Sequence, residues 1–374
     1  MAPVTALTAA DLRALRLRAL LLTGTRGLDD AGPAAVGAVA RVVGHVGAMQ
    51  AQDVASGLWS LGVRLPGATL ADVEAALARG EAIRTWPMRG TLHLVAPRDA
   101  AWMVELMSPR PRAAAASRRG GLGLDDATAD RAVDVLLEAL TGRRLTRSGC
   151  LAALGDAGIP TDGQRGYHLL VHAAHLGAVC IVGQESKEQV FARLDEVAPD
   201  PVRPGREEAL GILARRYVRS HGPVTVKDLA RWTGLGIRDC RAGVAAAGDA
   251  VVTVETHDGP MLAAPELLAA GRVAMEPLAL PGFDELVLGY ADRSAQLDRD
   301  LEPRVVPGGN GVFRSTFVLD GRVVATWRRT LRARAVAVEA HDLTGLSSAD
   351  RVRCEAALEP YATFMGLPVT VAWE

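Results

Sequence analysis

Apolar side chains recur at helical spacing in several stretches of the chain, most clearly in REEALGILARRYVRSHG, which ends at Gly222. The apolar residues on one face of this predicted helix are Leu210, Leu213, Ala214, Tyr217 and Val218. Thr225 and Asp228 have capping-box spacing and predict a second helix, and IRDCRAGVAAAG predicts a third. The alternating stretches AVVTVET and MLAAPE then flank the turn HDGP. Three helices followed by a β-hairpin predict a winged helix.

The same order of elements recurs in the middle of the chain. TADRAVDVLLEALTG, TRSGCLAALGDAG and TDGQRGYHLLVHAAHLG predict three helices. We expect the second to start at Thr146 and the third to start at Thr161 or Asp162. AVCIVG and QVFARL predict a hairpin around the polar turn QESKE. This region is therefore predicted to be a second winged helix.

The N-terminal region is a looser copy of the pattern. TAADLRALRLRALLL, PAAVGAVARVVGHVGAMQ and TLADVEAALARG predict helices, the second continuing through Met49. Alternating residues in the range 83–95 predict the wing, whereas SGLWSLGVRL fits no single pattern.

The C-terminal region departs from the repeat. GVFRSTFVLDGRVVATWRR predicts a hairpin that turns at Asp320-Gly321, and RARAVAVEAHD follows it. A helix is predicted near SSADRVRCEAALEPYATFMG, and PVTVAWE predicts a final strand. The Pro-rich VAPDPVRPGR is the predicted linker between the second and third copies.

These patterns predict a mainly α chain with β-hairpin wings, of α+β class. We expect tandem winged helices that form a concave DNA-binding face, followed by a C-terminal β-rich α+β domain. The predicted segments are winged helix 1 at 1–115, winged helix 2 at 116–202, winged helix 3 at 203–275 and the C-terminal domain at 276–374.

Composition narrows the class of protein. At 374 residues the chain exceeds what one hydrophobic core usually organises. It has no apolar run of the roughly 20 residues that a membrane span needs and no clear signal peptide, so a cytoplasmic protein is expected. The four cysteines are far apart in sequence and do not predict zinc or disulfides. The net charge of −1 does not mark a nucleic-acid binder, yet arginine clusters can still form a phosphate-binding stripe.

Standard catalytic motifs are absent from the sequence: it has no G-x-S-x-G elbow, no Walker loop and no H-E-x-x-H. His168, His172 and His175 share one helix without a carboxylate beside them, which does not favour a metal site. The stretch MQAQD instead places Gln50 and Gln52 two residues apart. On a helix these side chains point away from each other, and in an extended chain they project to one side. From the residues alone, either a solvated helix end or a pair of converging amides remains open.

Six motifs in order resemble one family. They are QAQD, RTWPMRGTLHLVAP, GQRGYHLL, HGPVTVKDLARWTGL, PGFDELVLGYADRS and LDGRVVATWRR. Together they are similar to the bacterial winged-helix alkylpurine DNA glycosylases, the AlkZ-like family, whose founding member protects an antibiotic producer from a DNA-crosslinking agent. The resemblance extends over essentially the whole chain.

The resemblance implies a monofunctional DNA glycosylase that acts on N7-alkylated purines and unhooks interstrand crosslinks or bulky genotoxin adducts. In that family the catalytic motif is glutamine, an aliphatic residue, then glutamine or aspartate, which here is Gln50-Ala51-Gln52. The Gln-x-Gln form resembles the crosslink-resistance branch. Asp53 comes one residue too late to replace the aspartate, and we expect it to cap a helix or to accept a hydrogen bond beside the site.

Other residues are predicted from these motifs and clusters. The expected neighbours of the site are Asp53, Arg89, His93, Asp292 and Arg293. The expected DNA-binding residues are Arg118, Arg119, Arg143, Arg144, Gln164, Arg165, Lys187, Arg328 and Arg329. We expect double-stranded DNA as the partner, no metal or organic cofactor, and a monomer. Two alternatives remain: a non-catalytic tandem winged-helix regulator that binds a DNA sequence, and a protein-interaction scaffold.

Overall fold

The computed structural model describes residues 6–23, 36–269, 274–309 and 311–374. Helices and strands both contribute to a mixed α/β fold. The helices, numbered in chain order, are α1 Ala9–Ala19, α2 Ala38–Val46, α3 Val54–Gly62, α4 Leu70–Ala78, α5 Pro97–Met107, α6 Pro109–Gly121, α7 Asp126–Leu140, α8 Arg147–Asp156, α9 Arg165–His175, α10 Leu194–Val197, α11 Arg206–His221, α12 Val226–Thr233, α13 Ile237–Ala247, α14 Pro265–Ala269, α15 Glu285–Leu288, α16 Glu302–Val305, α17 Ser348–Ala356 and α18 Glu359–Met365.

The strands alternate with these helices along the chain. They are β1 Ala48–Gln50, β2 Ile83–Met88, β3 Thr91–Val95, β4 Leu145–Thr146, β5 Val179–Glu185, β6 Glu188–Arg193, β7 Val252–Thr256, β8 Gly259–Ala263, β9 Leu278–Leu280, β10 Ser315–Leu319, β11 Arg322–Leu331, β12 Val336–Asp342 and β13 Val369–Trp373.

The chain divides into two compact units. The first comprises residues 1–74 and 210–374, and the second comprises residues 75–209. The predicted boundary between segments 1–115 and 116–202 lies inside α6, which is one continuous helix. The predicted linker ends at Arg206, four residues before the second unit gives way to the first. The four predicted segments do not coincide with the two units, and their division stays a prediction.

In the second unit, α7, α8 and α9 are followed by the hairpin β5–β6, the order that the sequence predicts. Thr146 caps α8 by accepting a hydrogen bond from the backbone N–H of Gly149, as expected. Helix α9 begins at Arg165, later than predicted, because residues 162–164 form a turn. Leu136, Leu154 and Phe191 bury their side chains in one apolar core. The strand order within this unit is β3-β2-β5-β6-β4.

The first unit contains the clearest predicted copy. Helices α11, α12 and α13 precede the antiparallel pair β7–β8. Thr225 and Asp228 form the predicted capping box at the start of α12. Leu229 and Trp232 on that helix are buried, as their spacing indicates.

A five-stranded sheet lies at the C-terminal end of the first unit. Its order is β13-β12-β11-β10-β9, with β12 and β13 parallel and the other neighbours antiparallel. Asp320 and Gly321 both have positive φ, 50° and 75°, which forms the predicted hairpin turn between β10 and β11. The region predicted to hold one helix near residues 347–366 contains two, α17 and α18.

One prediction on which the site depends is wrong. The helix expected to run through Met49 ends at Val46, because Gly47 adopts φ 93° and its N–H bonds to the carbonyl of Val43. Ala48, Met49 and Gln50 are extended instead. The ambiguous stretch SGLWSLGVRL forms most of α3. The apolar residues of this segment are regularly spaced because α2 and β1 are both buried. Apolar spacing alone does not distinguish a buried helix from a buried strand.

Candidate active site

The Gln-x-Gln motif lies in a short non-helical connection between two helices of the first unit. Gly47 stops α2, β1 runs to Gln50, and α3 starts after Asp53. Gln50 is buried, with 7% of its surface exposed, and Gln52 is exposed. The backbone of the motif has left helical geometry, which two converging amides require. Their convergence itself stays a prediction.

Helix α3 follows this connection and packs against it. A Cβ on Gly57 would come within 2.9 Å of the Ala51 Cβ, so glycine lets the middle residue of the motif pack directly on the helix. Trp59 is fully buried and donates its indole N–H to the carbonyl of Ala279 at 2.9 Å. The motif therefore leads directly into a helix that is packed into the C-terminal part of the first unit.

Aromatic packing fixes the same helix against α18. The Trp59 ring lies 5.0 Å from the Tyr361 ring and 5.1 Å from the Phe364 ring, measured between centroids. A Cβ on Gly62 would overlap Phe364 at 2.6 Å, so α3 approaches α18 closely at this point. Tightly packed neighbours of this kind restrict movement of a site, which is the condition for preorganised catalytic groups.

Asp53 occupies the helix cap that the sequence analysis expected. Its Oδ1 accepts a hydrogen bond from the backbone N–H of Ser56 at 2.7 Å, which caps α3. The same oxygen lies 3.7 Å from a guanidinium nitrogen of Arg329 on β11. Burial raises the pKa of the nearby Tyr361 phenol, and the charge of Arg329 and a hydrogen bond with it oppose that rise. Arg329, predicted to bind DNA, thus joins Asp53 and Tyr361 next to the motif.

The structure places Arg89 and His93 together in the second unit. Arg89 adopts φ 55° in the turn between β2 and β3, and its Nη2 lies 3.0 Å from His93 Nε2. His93 Nδ1 lies 2.8 Å from the carbonyl of Thr91, which identifies Nδ1 as the donor and Nε2 as the acceptor. Burial, and then the charge of Arg89, lower the pKa of His93 to about 3. The ring is therefore neutral at physiological pH and serves as an acceptor for Arg89.

Acidification is expected to destabilise the protein through this histidine. Below pH 6.5 the unfolded chain binds a proton at His93, and the folded chain does not until about pH 3. The free energy of unfolding should therefore fall by about 2 kcal/mol between pH 6.5 and pH 5 from this group. His45 and His175, whose pKa values burial lowers to about 4, act in the same direction.

Urea denaturation at several pH values tests this expectation. Gln in place of His93 supplies an uncharged donor and acceptor, so His93→Gln should show a shallower loss of stability in acid. His257→Gln, which changes an exposed histidine, controls for the substitution. Equal pH dependence in wild type and His93→Gln would contradict the assignment.

Asp292 and Arg293 lie in the segment after α15 and have structural partners in the first unit. Arg293 is 4% exposed, and its guanidinium donates to the carbonyl of Val287 at 2.6 Å and to Glu302 at 2.5 Å. Asp292 pairs with the exposed Arg299 at 3.0 Å. Through these contacts both residues stabilise the loop in which they lie. A role for them beside the glutamines stays a prediction.

The predicted DNA-binding residues differ in how available they are. Those of the second unit that are exposed are Arg118, Arg143, Arg144, Gln164 and Lys187. Arg118 donates to the Gln164 side chain at 3.0 Å, and Arg165 pairs with Asp162 at 2.7 Å. Arg119 is only 3% exposed, which makes it the least accessible of the set. In the first unit, exposed Arg328 pairs with Glu339 at 2.5 Å.

Sequence reasoning missed the buried ion pair that supports α3. The Arg64 side chain is fully buried and donates to both carboxylate oxygens of Asp284, at 2.7 and 3.1 Å. It also donates to the carbonyls of Leu20 and Ser60 at 2.9 Å. The signal in the sequence was PGFDELV, where the acidic residues Asp284 and Glu285 stand within an apolar stretch and call for buried partners.

Two general properties bear on the kind of site. Among the described residues, no group of three or more His, Cys, Asp or Glu side chains is arranged to hold a metal ion. Within the described residues, every helix is too short or too polar to cross a bilayer.

Comparisons with known proteins agree with one another. A family model described as DNA glycosylase AlkZ-like matches residues 43–364. An interstrand DNA cross-link repair glycosylase of Streptomyces sahachiroi is 24% identical over 299 residues, which cover 76% of this chain and 81% of that protein. The solved structure of the Streptomyces sahachiroi DNA glycosylase AlkZ matches with a TM-score of 0.80 at 21% identity, covering 98% of this chain and 100% of the other. The similarity in fold therefore extends over nearly the whole chain.

Proposed function

Because the chain belongs to the AlkZ-like DNA glycosylase family, we propose that it hydrolyses the N-glycosidic bond of N7-alkylated purines in duplex DNA and unhooks interstrand crosslinks. Family membership supports a glycosylase over the non-catalytic regulator. The observation that carries the proposal is the position of Gln50-Ala51-Gln52 in a non-helical connection between the end of α2 and the packed helix α3.

The chemistry explains why amides suffice. Alkylation at N7 makes the purine cationic, so its departure with the bonding electrons neutralises the base and needs no general acid. The sugar develops oxocarbenium character, and water must attack C1′ to complete the hydrolysis. A preorganised amide oxygen can stabilise that charge, and a second amide can orient the water.

We assign the two glutamines different roles on the basis of their environments. Gln52 is exposed and is proposed to hold the nucleophilic water, which must come from solvent. Gln50 is buried at the end of β1 and is proposed to contact the sugar or the water from the other side. Asp53 keeps the start of α3 in place through its cap.

Tandem winged helices supply the proposed DNA-binding face. The observed series α7–α9 with β5–β6 and α11–α13 with β7–β8 support the second and third copies. An open, concave face would admit duplex DNA with a bulky adduct in place, whereas a snug pocket for a flipped base would not. We propose that the protein acts as a cytoplasmic monomer and leaves an abasic site. The Streptomyces relative named for interstrand cross-link repair supports the crosslink assignment.

Two duplex substrates test this proposal. The protein is incubated with an N7-methylguanine duplex and with a duplex crosslinked through two N7 atoms, in excess enzyme. We expect release of free alkylated base from the first and conversion of the second to separable strands, without dependence on the flanking sequence. Release from neither substrate would refute the proposal, and saturable binding to one sequence without release would favour a regulator.

A further inference from the structure

The second unit contains a cavity that the proposed chemistry does not use. Its volume is about 430 Å³, and its walls come from α5, the start of α6, the end of α9, α10 and residues 198–203. This volume lies within the range of roughly 300–1,000 Å³ that is typical of small-molecule sites. It is far larger than the about 30 Å³ that one water molecule occupies. The cavity therefore has room for an organic molecule.

A buried histidine whose ring nitrogens have no hydrogen-bond partner among the described residues lines this cavity. His175 is the last residue of α9 and is 2% exposed. Neither of its ring nitrogens has a hydrogen-bond partner among the residues that the structure describes. Buried polar groups almost always have a partner, so such a ring indicates that a ligand or solvent supplies one. His175 also lines the cavity, so a ligand bound there is the candidate for that partner.

The charges around the cavity favour an anion. Arg112 and Arg203 line it, and within the described ranges neither forms an ion pair with a protein carboxylate. Asp195 also lines it, but Arg193 binds that carboxylate through two nitrogens at 2.7 and 3.0 Å. Glu105 is the remaining acidic side chain of the wall. Among the described residues, the cavity wall thus holds two guanidinium groups without a carboxylate partner and one carboxylate, so its net charge is positive.

The pKa of His175 is also affected by the positive charges around the cavity. Its pKa is lowered to about 4, by burial first and then by the charges of His172, Arg112 and Arg119. A bound anion would compensate these positive charges and would accept a hydrogen bond from the ring. The remaining wall is largely apolar, with Val104, Leu194 and the 44%-exposed Leu176 facing the space. Exposed apolar surface beside cationic groups suits a molecule with one anionic end and one uncharged, planar body.

We propose that this cavity is a binding site for a phosphate monoester of nucleotide size, with Arg112, Arg203 and His175 around the phosphate and the apolar wall against the base. Each arginine can bind phosphate through two parallel N–H donors, and the histidine ring adds one further N–H donor. A free nucleotide and the 5′-phosphate end of a DNA strand carry the same group. The site is separate from the glutamine motif in sequence and in chemistry, and it does not depend on glycosylase activity.

Calorimetric titration of the intact chain at low salt tests the proposal. The probes are deoxyguanosine 5′-monophosphate, deoxyguanosine and inorganic phosphate. We expect the nucleotide to bind with a dissociation constant below about 1 mM, and the nucleoside and phosphate to bind at least about tenfold more weakly. Equal binding of nucleotide and nucleoside, or no binding of any probe at several times that concentration, would overturn the proposal.

Variants locate the binding. Arg112→Gln and Arg203→Gln should each weaken nucleotide binding about tenfold, because each removes a charge-assisted contact. His175→Phe should also weaken it, and circular dichroism checks that this buried change is tolerated. Arg110→Gln, two residues before Arg112 on α6 but outside the cavity wall, should bind like wild type. Unchanged affinity in both Arg112→Gln and Arg203→Gln would refute the site.

Competition distinguishes the source of the phosphate. A 5′-phosphorylated single-stranded oligonucleotide that displaces the nucleotide, where its hydroxyl-ended counterpart does not, identifies a DNA end as the ligand. Failure of both oligonucleotides to displace a bound nucleotide identifies the free nucleotide. No alkylated DNA is present in these assays, so their result and the result of the base-excision assay are independent.

Discussion

Alanine in place of Gln52 or Gln50 is expected to slow the release of N7-methylguanine from duplex DNA by about 100-fold or more. Loss of one preorganised polar group aimed at a developing charge typically costs about 10²–10³ in rate. Both side chains belong to a connection that α3 holds in place. Alanine should therefore remove the amide without moving the backbone of the site. The measurement is single-turnover base release, with DNA binding measured in parallel to separate chemistry from affinity.

The pH dependence gives this prediction a second readout. Amides do not titrate, so the wild-type rate should be nearly flat between about pH 6 and pH 8. Gln52→Glu keeps the length of the side chain but adds a carboxyl group, and it should introduce an acidic limb. Asp53→Asn retains a helix cap and removes a charge, so excision should stay within a few-fold of wild type.

Two outcomes would contradict the glutamine mechanism. Wild-type rates in both alanine variants would remove Gln50 and Gln52 from the chemistry. A steep acidic limb near pH 4 to 6 in wild type that Asp53→Asn abolishes would instead assign the reaction to that carboxylate. Because His93 is expected to make the protein less stable in acid, folding must be monitored at each pH.

Much of the local structure was predictable because it depends on neighbours in sequence. Capping boxes such as Thr225 with Asp228 and the Asp320-Gly321 turn involve residues within three positions of each other. These short-range signals act through backbone hydrogen bonds and conformational preference, which a single sequence reveals. They sufficed for the order of helices and hairpins in residues 126–263.

The candidate site depends on contacts that sequence spacing cannot show. Asp53 was expected to cap a helix, and it does, but its approach to Arg329 joins residues 276 positions apart. The end of α2 was missed because Val46, Ala48 and Met49 are all fully buried, and burial on all sides hides the change from helix to strand. The prediction that Arg329 binds DNA stays untested, since a single sequence does not show whether an arginine pair on a strand faces phosphate or a carboxylate.

Replacement of Arg64 by leucine is expected to have the largest effect on stability, about 3–5 kcal/mol of unfolding free energy. The change leaves the Asp284 carboxylate buried without its bidentate partner, and an uncompensated buried charge is costly. The carbonyls of Leu20 and Ser60 also lose their donor. Urea denaturation monitored by tryptophan fluorescence measures the loss, and a cost below about 1 kcal/mol would contradict it.

Two further variants separate the buried charge from the loss of packing. Arg299→Leu breaks the exposed pair with Asp292 and should cost no more than about 1 kcal/mol, since such pairs contribute little. Arg64→Leu combined with Asp284→Asn removes the charge and keeps a side chain that can cap α15. We expect the combination to recover part of the stability. Arg64 lies just beyond the C-terminal end of α3, and the glutamine motif lies just before its N-terminal end. Recovered stability without recovered base release would therefore show that the ion pair also positions Gln50 and Gln52.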